Sequence, residues 1–261
     1  MKKFFSLGRL FLALVFFLMY LPIFYLIYYS FSSGSRMDGF KHFSLVHYQT
    51  LFADTRMISI VLNTLIIALL AALISTIIGT SGALAINRAK RSRRQLLVLN
   101  NILMVSPDVI IGASFLIFFT FLGVQLGFWS VLLSHIAFCI PIVVLMVLPQ
   151  VRTMPRSLTD AAYDLGASRW QAFSQVTIPA IAPGIRAGFF MALTYSLDDF
   201  AVTFFVTGNG FSTLAVEIYS RARQGIDLEI NALSTVMFLV SLVLVFIYSR
   251  FSVKGKGAAV K

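Results

Sequence analysis

The sequence is poor in charge and almost free of cysteine. Only 12% of its 261 residues are Asp, Glu, Lys or Arg, and the acids number 10 against 21 bases. Soluble domains carry about 25% charged residues, so an ordinary water-facing globule is excluded. Cys139 is the sole cysteine, which excludes an intrachain disulfide and leaves this side chain a packing role. Signatures of chemistry are missing too. The chain has no H-E-x-x-H helix, no G-x-S-x-G elbow and no G-x4-G-K-[ST] phosphate loop. Neither hydrolysis nor ATP binding therefore has a home here, and no catalytic residue is assigned. His42 and His47 share a polar loop without a third ligand nearby, so no metal site is expected.

What is abundant is apolar surface: 59% of the residues are hydrophobic and the mean hydropathy is +0.89. A hydrocarbon core about 30 Å thick takes roughly 20 apolar residues per helix. Six segments qualify, about 10–31, 58–86, 96–122, 129–150, 181–206 and 232–248. The short alternating segments of a barrel are absent. The expectation is an all-α membrane protein of six transmembrane helices, with residues 1–261 forming a single domain. Lys2 and Lys3 precede an apolar run too long for a signal peptide, and no small-x-small site follows Tyr29. The first segment therefore reads as an uncleaved span.

The net charge of +11 is a topology signal. Sixteen Lys and Arg fall at the termini and in alternate connections (Lys2, Lys3, Arg9; Arg88, Lys90, Arg91, Arg93, Arg94; Arg152, Arg156, Arg169, Arg186; Arg250, Lys254, Lys256, Lys261). Only Arg36, Lys41, Arg56, Arg221 and Arg223 fall on the other side. The positive-inside rule places both termini in the cytoplasm. Nucleic acid is excluded as a partner, because these bases flank spans and are not interleaved with stacking aromatics.

Polar residues inside the spans are the next signal. Ser75, Gly79 and Ala83 form a small-residue stripe on which another helix can pack closely. Pro107, in Ser106-Pro107-Asp108, removes a backbone donor and predicts a kink or unwound segment. Trp129 suits an interfacial edge, and His135 a hydrogen bond between helices. Carboxylates at membrane depth cost roughly 2.5–3.5 kcal/mol each on insertion scales, so Asp108, Asp198 and Asp199 should face water, a cation or a protein partner. Adjacent helical residues diverge by about 100°, so at most one of Asp198 and Asp199 points straight down a central path. Two readings stand: a pair capping a helix near the outer interface, or a cation site walled by Tyr195, Phe200 and Phe204. No Lys or Arg lies at that depth to pair with the acids.

One connection, residues 155–179 (PRSLTDAAYDLGASRWQAFSQVTIP), is too polar to be embedded. Ser157 with Asp160 and Ser168 with Gln171 have the spacing of helix-start boxes. Gly166 lies where a first helix should stop, and Pro179 where a second should close. Leu158, Ala161, Ala162 and Leu165, then Trp170, Phe173, Val176 and Thr177, keep helical spacing. A helix–turn–helix with one apolar face follows, either a docking element or an amphipathic segment lying on lipid.

The order Asp160-Ala161-Ala162, Gly166 and Val176-Thr177-Ile178-Pro179 resembles the "EAA" loop of ABC importer permeases, with Asp in place of Glu. That resemblance implies a cytoplasmic element docking into an ATP-hydrolysing subunit through Asp160, Ala161, Ala162, Gly166, Val176, Ile178 and Pro179. Further stretches are Ser106-Pro107-Asp108, Leu122-Gly123 with Gly127-Phe128-Trp129, Ser134-His135, Phe138-Cys139 with Pro141, Ser196-Leu197-Asp198-Asp199, Val206-Thr207-Gly208 and Asn231-Ala232-Leu233. Together they resemble the C-type permease subunit of spermidine/putrescine ABC importers over essentially the whole chain. The resemblance implies a type I importer permease fold in a bacterial cytoplasmic membrane. Its implied partners are a related second permease, two ATPases that bind MgATP, and an extracytoplasmic polyamine-binding protein; no cofactor belongs to this chain. Importers of molybdate, sulfate or ferric ion share the loop. An anion carrier, however, should show basic residues or helix N-termini along its path, and this sequence shows acids.

Overall fold

The computed structural model describes residues 7–35, 37–89, 91–224 and 228–257, so Lys2, Lys3, Arg36, Lys90 and Lys261 lie outside the described residues. The described residues are helical apart from loops and one isolated bridge between Ser32 and Phe43. The helices are α1 (Leu7–Ser30), α2 (Val46–Ala53), α3 (Thr55–Arg88), α4 (Arg93–Val105), α5 (Asp108–Phe121), α6 (Phe128–Thr153), α7 (Arg156–Asp164), α8 (Arg169–Gln171), α9 (Ile178–Asp198), α10 (Ala201–Val206), α11 (Leu214–Gln224) and α12 (Leu228–Gly257). A π-helical turn, Ala172–Thr177, joins α8 to α9. Among the described residues five helical stretches are long and apolar enough to cross a membrane, six when α4 and α5 count as one broken span.

The chain divides into two compact units, Met1–Ser59 with Ile218–Arg250, and Ile60–Glu217 with Phe251–Lys261. In the first, α1 buries almost nothing: Leu10, Phe11, Phe16, Phe17 and Met19 are each more than half exposed. Apolar side chains so displayed suit lipid or another membrane helix. The loop after α1 is tied down locally. Ser30 Oγ meets Tyr48 Oη at 2.7 Å, His47 Nε2 reaches the Gly34 carbonyl at 2.9 Å, and Arg221 joins Glu229 (3.0 Å) and Asp54 (3.6 Å).

The second unit is built around α6, whose side chains are largely buried from Ser130 to Val151. Helix α9 runs antiparallel to it in steps of four residues. Gly184 faces Met146 and Gln150, Gly188 faces Val143, the Cys139 thiol donates to the Ala192 carbonyl, and His135 bonds Ser196. A Cβ on Gly188 would stand 3.2 Å from Val143 Cγ1, and one on Gly79 of α3 only 2.7 Å from Val143 Cβ. Gly79 of the small-residue stripe therefore packs on α6, and Ser75 and Ala83 of the same stripe are fully buried. Lipid offers no hydrophobic drive between helices, so small residues that permit close backbones, with hydrogen bonds across them, hold such a bundle. Large residues point the other way: on α3, Leu62, Ile66, Leu69, Leu73 and Ile77 are exposed.

Two expected spans are broken. The third, expected over 96–122, becomes α4 and α5 meeting at 102°. Pro107 has no N–H to continue α4 and holds Ser106 extended (φ −70°, ψ 137°). The fifth, expected over 181–206, ends its long helix at Asp198, turns through Asp199 and Phe200, and restarts as α10.

Candidate functional site

Two regions hold the residues singled out above. The first is the connection 155–179. Helix α7 begins at Arg156 after Pro155, without a side-chain cap. The expected box from Ser157 to Asp160 does not form, because Pro155 sets the turn and Ser157 already lies inside the helix. At the other end, Gly166 (φ +84°) donates to the Tyr163 carbonyl and Ala167 to that of Ala162, both at 2.9 Å. This paired return closes α7 in a left-handed turn that glycine adopts without a Cβ penalty. The second box does form: Ser168 N–H donates to Gln171 Oε1 (2.8 Å) and Gln171 N–H to Ser168 Oγ (3.3 Å).

Pro179 does not close the second helix. The chain stays helical over Arg169–Asp198, because the turn before the proline widens. Ile178 N–H bonds the Phe173 carbonyl five residues back, and Thr177 Oγ1 donates to the Ala172 carbonyl at 3.3 Å. A π turn of this kind accommodates the missing donor and the ring of proline. As a result the second helix of the connection runs on into α9. It displays apolar residues outward: Leu165 is 90% and Trp170 72% exposed, with Leu158 and Tyr163 nearly half exposed. Asp160, Ala161 and Pro179 are exposed, and Ala162, Val176 and Ile178 half-buried.

The second region surrounds the two helix breaks. Asp108 opens α5, where a helix N-terminus favours a carboxylate, and its Oδ1 accepts from Tyr195 Oη of α9 at 3.1 Å. The Tyr195 ring stands edge-on to Phe138, 5.2 Å away. Asp199 turns inward and its side chain is 7% exposed. It accepts from the Val202 N–H (3.3 Å), the Thr203 N–H (2.8 Å) and Thr203 Oγ1 (2.7 Å), and lies 3.5 Å from His135 Nε2. His135 in turn bonds Ser196 (2.6 Å) and Thr203 (2.8 Å), fastening α6, α9 and α10 together. Ser130 Oγ adds a bond to the Val206 carbonyl at 2.7 Å. Asp198 points the other way. It is exposed and, alone of the three acids, makes no hydrogen bond or ion pair among the described residues. Phe200 and Phe204 follow it in sequence, their rings tilted at 40° with centroids 5.4 Å apart.

The structure thus joins Asp108 to Tyr195 and Asp199 to His135, and leaves Asp198 open. Sequence reasoning missed two features. The stripe Gly184, Gly188, Ala192 and Ser196 carries the α6–α9 contact, and its four-residue spacing was available. The His135–Thr203 bond had no such signal, since it depends on the turn at Asp199.

Comparison with known proteins follows this geometry. The family model described as "Binding-protein-dependent transport system inner membrane component" matches residues 75–254. The chain is 34% identical over 262 residues to the spermidine/putrescine transport system permease protein PotC of Shigella flexneri, covering 97% of this chain and 99% of that one. It is 35% identical over 235 residues to the putrescine transport system permease protein PotI of Escherichia coli K12, covering 87% and 83%. Among solved structures, a bacterial ABC transporter importing the acidic polysaccharide alginate superposes with a TM-score of 0.72 at 20% identity, over 95% of this chain and 94% of that one. At that identity the likeness is one of fold.

Proposed function

This chain belongs to the binding-protein-dependent transport system inner membrane components, the multi-pass permeases of ABC importers, and we propose that it carries polyamines. It acts as one permease domain that forms half of the path through a bacterial cytoplasmic membrane, with both termini in the cytoplasm. The observation that carries the passenger assignment is the near full-length similarity to PotC. Asp198, exposed and without a partner among the described residues, supports it, because a linear multi-cation can pair with such an acid.

The chain binds no nucleotide. Two partner ATPases supply the energy from MgATP, a second homologous permease completes the path, and an extracytoplasmic binding protein delivers the passenger. Asp160, Ala161, Ala162 and Gly166, with Val176, Ile178 and Pro179, form the surface that meets an ATPase. Since α9 continues the helix from Arg169 without a break, movement of that surface reaches the Asp198 end as rigid-body rocking, as alternating access requires. Asp198, with Asp108, Tyr195, Phe200 and Phe204, lines the passenger's route. Asp199 keeps α10 in place beside it.

The test is spermidine and putrescine uptake by the reconstituted complex bearing Asp198→Asn. Losing one charge-assisted contact should raise the apparent KM about tenfold with basal ATP hydrolysis unchanged. An unaltered KM would remove Asp198 from the route.

A further inference from the structure

A groove at the junction of α3 with the 155–179 connection has no role in the passenger route. It is lined by Ser81, Leu84, Ala85 and Arg88 on the last two turns of α3, and by Thr159 and Tyr163 of α7. Arg169, Phe173 and Thr177 complete it. Its volume, about 460 Å³, falls within the roughly 300–1,000 Å³ of small-ligand sites. No acid lines it. Arg88 and Arg169 are both exposed and neither makes an ion pair or hydrogen bond among the described residues. Two guanidinium groups sharing a groove repel each other unless an anion lies between them, and the planar donor fork of Arg matches phosphate oxygens. Tyr163 shares the lining, and its hydroxyl makes no hydrogen bond among the described residues.

The depth of the groove selects the source of the phosphate. Arg88 ends a membrane-crossing helix, and Arg169 begins the helical stretch that runs on through α9, so the groove lies where α3 leaves its span. Leu84, Ala85 and Phe173 add an apolar wall. A polar, basic floor beside an apolar wall fits a headgroup with the root of its acyl chains, the arrangement of basic pockets that hold acidic lipids. We propose that this groove binds the phosphodiester of an anionic phospholipid and thereby fixes the connection against α3. The inference uses the membrane-crossing assignment and is independent of the passenger.

The full chain, purified in detergent, is titrated with phosphatidylglycerol and read by native mass spectrometry. Phosphatidylcholine serves as the zwitterionic control. Wild type should retain phosphatidylglycerol in preference to phosphatidylcholine. Arg88→Gln with Arg169→Gln should cut the retained fraction at least about tenfold, whereas Arg91→Gln with Arg93→Gln, outside the groove, should leave it unchanged. Tyr163→Phe, which removes one hydroxyl and keeps the ring, should weaken retention about threefold, and decides alone if the double variant fails to fold. Excess inorganic phosphate should not displace the lipid. Equal retention by the groove variants, equal loss in the Arg91/Arg93 control, or displacement by inorganic phosphate would each overturn the proposal. So would a double variant that keeps lipid but loses a partner ATPase, which would make the groove a protein interface. Because the readout needs no transport, a failure of the polyamine assignment leaves this result standing.

Discussion

The two ends of the α6–α9 pair treat polar and apolar side chains in opposite ways. Beyond Gln150 and Gly184, the helix–turn–helix pushes Leu165 and Trp170 outward, where no described residue covers them. Toward His135 and Ser196, a cluster of polar side chains is sealed inside and satisfied by its own hydrogen bonds. The first region has surplus apolar surface that suits a partner; the second is self-sufficient. Damage to the second should therefore destabilise the chain, while damage to the first should spare the fold and uncouple it from whatever docks there.

The largest effect expected is for Gly188→Leu, which drives a side chain into Val143 where even a Cβ would be tight. Overpacking of this kind costs about 3 kcal/mol, and thermal unfolding of the purified chain should show the drop; an unchanged midpoint would mean that α6 and α9 are not held by this contact. Next comes Asp199→Ala. It strips acceptors from two backbone N–H groups, the Thr203 hydroxyl and the neighbourhood of His135, for about 2 kcal/mol. Full stability in that variant would make the buried cluster incidental and erase the contrast. Smaller still, and different in kind, is Leu165→Glu at the other end. The unfolding free energy should stay within about 0.5 kcal/mol of wild type, while ATPase capture and uptake fall about tenfold. If Leu165→Glu unfolded the chain instead, the exposed face would belong to the protein's own packing.

How far the residues alone reveal this contrast depends on whether a feature is local. The turn at Gly166 and the box from Ser168 to Gln171 are set by neighbouring residues, and both are as their spacing indicates. The six apolar segments follow from bilayer thickness and need no tertiary knowledge. Pro179 misleads because a proline ends a helix only when the preceding turn cannot widen, and here Ala172–Thr177 does. Ser157 misleads because the helix starts two residues earlier than a cap there would set it, after Pro155. Asp198 and Asp199 are indistinguishable in sequence. One faces out and the other in only because the chain turns between them and α10 offers Asp199 free N–H groups. The small-residue stripe in α9 is legible by spacing, yet the acids at its end draw the eye first. The 102° turn at Pro107 marks the same limit: a proline announces a break, and the packing of α5 against α10 sets its angle.

The most direct measurement is substrate-stimulated ATP hydrolysis and uptake by the complete complex in proteoliposomes. Spermidine and putrescine are offered in parallel with molybdate, sulfate and ferric ion. The account predicts that the polyamines alone are accumulated and consume ATP. Accumulation of an anion or of ferric ion, with polyamines left outside, would contradict it.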